Sequence, residues 1–265
     1  MTESSDNDSA IVQALKQVFT EVDRNSPSKG DSGCTATLIL QIGDKLFVAN
    51  VGDSVSFIGL YFGGQSEESR FTSLQNHIQI VYQSREDKPD LPEEKARIVA
   101  AGGYVHIPSD DDDDVARVYH IDENGYAQYG LAMSRSLGDW GVKGVTAEPL
   151  VDILDLREII RTALTKKAET CSREKYDEKE QYCEALDTSD IHVFASSISD
   201  GMMDYLSPDD IGKVLAEAFF DQDSDLHPHS AAEKLINEAA KGWEVEFGGE
   251  YRDDIAIASF VVPFV

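Results

Sequence analysis

The sequence predicts an α+β fold, with antiparallel sheets covered by helices. Three features carry that expectation. Runs of β-formers precede, interrupt and follow helical stretches without regular β-α-β alternation. Two apolar runs, Cys34 to Ile42 and Lys45 to Val51, flank Gly43-Asp44, a hairpin signal. A third apolar run, Ile191 to Ile198, reads as a buried strand that ends on a carboxylate and a glycine.

The elements follow in chain order. Residues 1–10 are polar and acidic and are expected to be a disordered tail. Apolar residues at 11, 12, 15, 18, 19 and 22 have helical spacing. Asn25 to Gly33 is a loop of Ser, Pro, Gly and Lys, followed by the hairpin. Ser54 to Phe62 and Ile78 to Tyr82 read as strands, with a polar loop from Gly63 to Asn76 between them. Pro92 with Glu93 and Glu94 opens a helix that Gly102-Gly103 closes. Tyr104 to Ile107, Leu131 to Ser134 and Val151 to Leu154 are strand-like. Residues 157–187 are highly charged, with few β-formers, and read as one long or two short exposed helices. Helices are expected from Ser207 to Phe220 and from Ala231 to Trp243, and a closing strand from Ile255 to Val262.

Composition narrows the function. The 265 residues hold 23 Lys plus Arg against 50 Asp plus Glu, a net charge of −27. That balance opposes nucleic acid and anionic membrane surfaces as partners and favours divalent cations. No apolar run reaches the ~18–20 residues of a membrane span. The first residues resemble no signal peptide. Three cysteines without a C-x-x-C pair read as reduced thiols, so a cytoplasmic or nuclear location is expected. The six histidines show no metal-binding spacing.

The strongest chemical candidate is Ser199-Asp200-Gly201-Met202-Met203-Asp204. A rigid strand delivers Asp200, Gly201 permits a sharp turn, and Asp204 can face the same way one helical turn later. Two carboxylates so placed suit a hard, oxygen-ligated cation. Taken alone, the segment reads first as a strand end with a helix-capping aspartate. Arg252-Asp253-Asp254 puts two acids at the mouth of the last strand and, alone, also reads as a solvated strand start. Asn50 to Ser54 reads as a structural turn. The acidic run Asp110 to Asp114 lacks the ligand spacing of a calcium loop and reads as solvent-facing.

The order of these pieces carries more than each alone. Gly33-Cys-Thr-Ala, Val48-Ala-Asn-Val-Gly-Asp-Ser54, Lys88-Pro with E-E-K-A-R-I-V-A-A-G-G at 93–103, and Leu131-Ala-Met-Ser-Arg-Ser-Leu-Gly-Asp139 follow one another. Val145-Thr-Ala-Glu-Pro149, Ser199-Asp-Gly201 and Asp253-Asp-Ile255 complete the series. It resembles the PPM-type (type 2C) metal-dependent Ser/Thr protein phosphatases over about residues 11–262. The resemblance implies a four-layer α-β-β-α fold, a β-sandwich of two antiparallel sheets flanked by helices. It implies phosphoserine and phosphothreonine proteins as substrates, and two Mn²⁺ or Mg²⁺ ions that activate a bridging water. By the same resemblance Asp200 and Asp253 are metal ligands, and Asp204 matches an acid that serves a third ion in some members. Glu86 and Asp87 stand where the family has the acid and histidine of D-H-K-P.

The sequence also departs from the family. D-G-H-G-G, the source of the acid bridging both ions and of a histidine proposed as general acid, is absent, as are earlier strands with a phosphate-binding arginine. The domain is therefore expected to be N-terminally truncated, with residues 157–187 as a charged helical insertion and candidate protein-partner surface. Metal occupancy is expected to be weak or partial, activity to be impaired, and no catalytic side chain is assigned. The other expectation is a catalytically inactive phosphatase-like binding or regulatory module.

Overall fold

The structure, a computed structural model, describes residues 2–27, 32–63, 77–109, 115–174, 191–221 and 223–264. In chain order the elements are α1 (Thr2–Asn25), β1 (Gly33–Cys34), β2 (Ala36–Ile42), β3 (Lys45–Val51), β4 (Val55–Phe62) and β5 (Ile78–Gln83). Next come α2 (Pro92–Ala100), β6 (Tyr104–His106), β7 (Arg117–Ile121), β8 (Ala127–Leu131), β9 (Leu137–Gly138) and β10 (Leu150–Asp155). The chain closes with α3 (Leu156–Glu174), β11 (Ile191–Ile198), α4 (Asp200–Met203), α5 (Pro208–Phe220), α6 (Pro228–Phe247) and β12 (Ile257–Val262). The α+β class is as the sequence predicts. The chain forms two compact units, each assembled from separated segments.

The first unit comprises Met1–Ile39, Phe47–Val55 and Ser84–Ile153. Its sheet runs β10-β3-β2. As the central strand, β3 is buried on both faces, which explains its unbroken run Leu46-Phe-Val-Ala-Asn-Val51. Helix α1 buries Leu15 and Phe19. It begins at Thr2, well before the expected start at Ile11. Acids near a helix N-terminus complement its dipole, so the polar composition that suggested a tail also suits a first helical turn. A three-stranded antiparallel sheet, β6-β7-β8, packs Val105, Val118, Tyr129 and Leu131 against Ile98 and Val142. The sequence reading missed β7 because its apolar alternation is only five residues long.

The second unit comprises Leu40–Leu46, Ser56–Gln83 and Leu154–Val265. Its sheet runs β12-β11-β4-β5. β11 pairs antiparallel with β12 from Val193↔Val262 to Ile198↔Ile257. The pairing of β4 with β5 shifts register at Ile58/Gly59, and a side chain at Gly59 would run into the Phe194 ring. Phe57 and Phe194 meet edge to face at 6.3 Å. Helix α5 starts on Ser207, whose hydroxyl accepts from the Asp210 amide at 3.2 Å, with Pro208 in the first turn.

The charged stretch from 157 differs from expectation. Leu156, Ile160 and Ala163 are buried, so α3 covers core rather than standing clear in solvent. Its start is tied to the β2–β3 turn by the Leu156 amide on the Asp44 carbonyl (2.8 Å) and by Arg157 on the Asp44 carboxylate (2.6 Å). Lys167 lies 3.9 Å from the Phe62 ring centre, and burial lowers its pKa. Residues 175–187 of the expected insertion, and the acidic run 110–114, lie outside the described residues.

Candidate active site

Strand β11 delivers the S-D-G segment. The β11–β12 ladder ends at Ile198↔Ile257, so the residues just past β11 and just before β12 share one end of the sheet. Ser199 joins them. Its hydroxyl donates to the Asp254 carbonyl at 2.7 Å and accepts from the Ala256 amide at 2.8 Å, while its own amide donates to the Ala256 carbonyl at 3.1 Å. Gly201 permits the approach: a Cβ there would sit 2.7 Å from the Asp254 carbonyl oxygen and 3.0 Å from the Asp253 Cβ. Under 3.0 Å no side chain fits without displacing backbone. Asp200 and Asp253, 53 positions apart, are thus carried on neighbouring backbone at one sheet end. Each is half-buried.

The two acids are held locally. Asp200 Oδ1 accepts from the Gly201 amide at 2.9 Å, and Asp253 Oδ1 accepts from the Asp254 amide at 2.7 Å. Asp204 closes α4, its amide donating to the Asp200 carbonyl at 2.9 Å, and is exposed one turn on. Below the turn Met202 is fully buried, and the Trp243 indole N–H donates to the Gly201 carbonyl at 2.7 Å.

The donor chemistry suits Mg²⁺ or Mn²⁺, since both acids offer hard oxygens. The donor count does not suit a pair of ions. Among the described residues no three His, Cys, Asp or Glu side chains assemble to hold a metal.

In the first unit the other motif residues are bound up in structure. Gly52 adopts φ +107 and faces Thr35 so closely that a Cβ would collide with it. This agrees with the turn read at Asn50 to Ser54. Asp53, 1% exposed, accepts from Lys88 at 2.7 Å, and its second oxygen has no hydrogen-bond partner among the described residues. Glu86 stands 3.6 Å from Lys88. Asp87 is fully buried. Burial raises its pKa against the pull of Arg85 and Arg135.

The sequence reading missed the centre of this region, Glu94. It is fully buried, and it accepts from Ser134 Oγ (2.7 Å), Arg135 Nη2 (2.6 Å), Arg97 Nη1 (2.5 Å) and Arg85 Nη2 (3.0 Å). Burial opposes its ionisation, but these donors prevail and hold its pKa at about 2. The Glu94–Arg97 spacing was visible in the sequence; the partners 40 residues on were not. Asp139 was also missed. It is the one non-glycine with positive φ among the described residues (51°), and burial raises its pKa.

The comparisons with known proteins agree with this architecture. Residues 2–242 match the family Protein phosphatase 2C. The chain is 28% identical over 227 residues to "Probable protein phosphatase 2C 1" of Arabidopsis thaliana, covering 85% of this chain and 38% of that protein. It is 37% identical over 161 residues to "Protein phosphatase 2C homolog 2" of Hypocrea jecorina, covering 55% and 29%. The chain therefore spans well under half the length of these relatives. Among solved structures, a serine-threonine phosphatase 2C from Toxoplasma gondii superposes with TM-score 0.64 at 15% identity, covering 98% of this chain and 71% of that one. A C. elegans sex determining protein superposes with TM-score 0.51, also at 15% identity, covering 92% and 50%; both show the fold. No helix among the described residues is long and apolar enough to cross a membrane. By the match over most of its length, the chain belongs to the protein phosphatase 2C family.

Proposed function

We propose that this chain is a phosphoserine- and phosphothreonine-directed protein phosphatase domain. In a polypeptide of these 265 residues its hydrolysis is slow, dependent on Mg²⁺ or Mn²⁺, and reliant on Asp200 and Asp253 as ligands. The observation that carries this reading is the junction of their two segments through Ser199 and Gly201. Asp204 is the accessory acid. A second reading, a binding or regulatory module without turnover, is favoured by one fact: among the described residues no third ligand joins the two acids.

The test is phosphate release from a phosphothreonine peptide by purified residues 1–265 in millimolar Mn²⁺. Turnover is expected far below that of a full-length relative. An oriented electrostatic group is worth ~10²–10³ in rate and a general acid ~10²–10⁴. Asp253→Ala is expected to abolish what remains. Turnover that survives Asp253→Ala would overturn the ligand assignment. Phosphopeptide binding with no phosphate release would establish the second reading.

A further inference from the structure

The segment joining α6 to β12 folds back on its own helix. Gly248 caps α6 at φ +62 and Gly249 follows at φ +82, two successive positions that side chains rarely tolerate. The reversal lands Tyr251 on the helix it has just left. Its ring meets Trp243 at 5.5 Å and Phe247 at 5.7 Å, both edge to face, and Trp243 stacks on Phe247 at 5.3 Å. Trp243 is buried and fixed by its bond to Gly201, so the outer rings rest on a rigid base. Those rings are open to solvent, Phe247 at 39% and Tyr251 at 54%. The Tyr251 hydroxyl lies 3.5 Å from Asp253 Oδ2.

The surface around the rings is anionic. Residues 244–254 contain five acids (Glu244, Glu246, Glu250, Asp253, Asp254) and one base (Arg252), a net charge of −4. Glu246, Glu250 and Asp254 are exposed. Exposed aromatic faces within an anionic rim match a cation, and above all a guanidinium, which stacks on rings and is weakly hydrated.

Resting on the phosphatase reading, we infer that the Phe247–Tyr251 shelf docks an arginine- or lysine-bearing segment flanking the phosphorylated residue of the substrate protein. The shelf borders Asp253, so a basic side chain a few residues from the phosphate can reach it. The rim repels acidic flanks, which makes the shelf a specificity element for basic phosphoproteins.

Fluorescence anisotropy on residues 1–265 in millimolar Mn²⁺, with each phosphothreonine replaced by its non-hydrolysable phosphonate so that nothing turns over, tests this. The probes are phosphothreonine peptides with Arg, Phe or Glu flanks, and the unphosphorylated Arg peptide. The Arg phosphopeptide is expected to bind at least ~5-fold tighter than the Phe or Glu peptide, since an exposed cation–π contact is worth about 2- to 5-fold and the rim adds to it. Tyr251→Phe is expected to retain the preference. Tyr251→Leu, which keeps apolar bulk but loses the ring, is expected to cut Arg-peptide affinity ~2- to 5-fold while leaving Phe-peptide affinity unchanged. Equal binding of Arg and Phe peptides, or a preference undiminished by Tyr251→Leu, would overturn the inference. A preference for Arg without dependence on phosphate would uphold the shelf and sink the phosphatase reading. Dependence on phosphate without preference for Arg would do the reverse.

Discussion

Replacing Glu94 by glutamine removes one negative charge from a fully buried position and leaves its shape almost unchanged. Four donors converge there: the Ser134 hydroxyl and the guanidiniums of Arg85, Arg97 and Arg135. An amide can accept from some of them but neutralises none. Breaking a buried charge set from one side costs ~3–5 kcal/mol. The fall in the Glu94 pKa from 4.5 to about 2 gives a similar figure, ~3 kcal/mol at 1.36 kcal/mol per unit. The arginine side chains keep 11–34% of their exposure, and solvent screens them to that extent. The expected loss is therefore about 2–3 kcal/mol. Its pH signature is specific. A carboxyl with a depressed folded pKa stabilises fully above its unfolded value, and that contribution disappears as pH falls from about 4.5 through about 2. Urea unfolding at pH 7 should show the loss for Glu94→Gln. Repeated between pH 5 and 2.5, wild type and variant should converge as the wild-type carboxylate takes up its proton. A loss below ~0.5 kcal/mol, the ordinary range of a surface substitution, or a constant gap down to pH 2.5, would show that Glu94 is not held ionised by these donors.

Other outcomes follow from the same contacts. Gly52→Ala should destabilise by ~3 kcal/mol or more by thermal unfolding, because φ +107 is strained for any side chain and the methyl meets Thr35. Trp243→Phe should cost ~1–1.5 kcal/mol through the lost bond to the Gly201 carbonyl, and calorimetry should show weaker Mn²⁺ binding as the Asp200 turn loosens. Mn²⁺ binding to the unaltered chain should itself be weak, and Asp200→Asn should reduce it further; tight binding unaffected by that change would remove Asp200 from the ligand set.

Much of this protein was legible in its sequence because local chemistry forced it. Gly43-Asp44 between two apolar runs, Pro208 behind Ser207, and the apolar spacing of α5 fix their elements wherever the chain folds. The absence of regular β-α-β alternation gave the α+β class, and the motif order, from Asn50-Val-Gly-Asp-Ser to Asp253-Asp-Ile255, identified the family. Where local signals were short or ambiguous the reading erred: the acidic start of α1 suits a tail or a first helical turn equally, and α3 is charged overall yet carries one buried stripe at Leu156, Ile160 and Ala163. Only the tertiary structure joined Asp200 to Asp253 across 53 positions, because the antiparallel register Ile198↔Ile257 is a property of the sheet and not of either strand. Glu94 shows the same division. Its helix could be read locally, but its burial and three of its four donors depend on distant chain or on packing. Charge pairing inside a protein is set by which backbone excludes the water, and no spacing along the sequence records that.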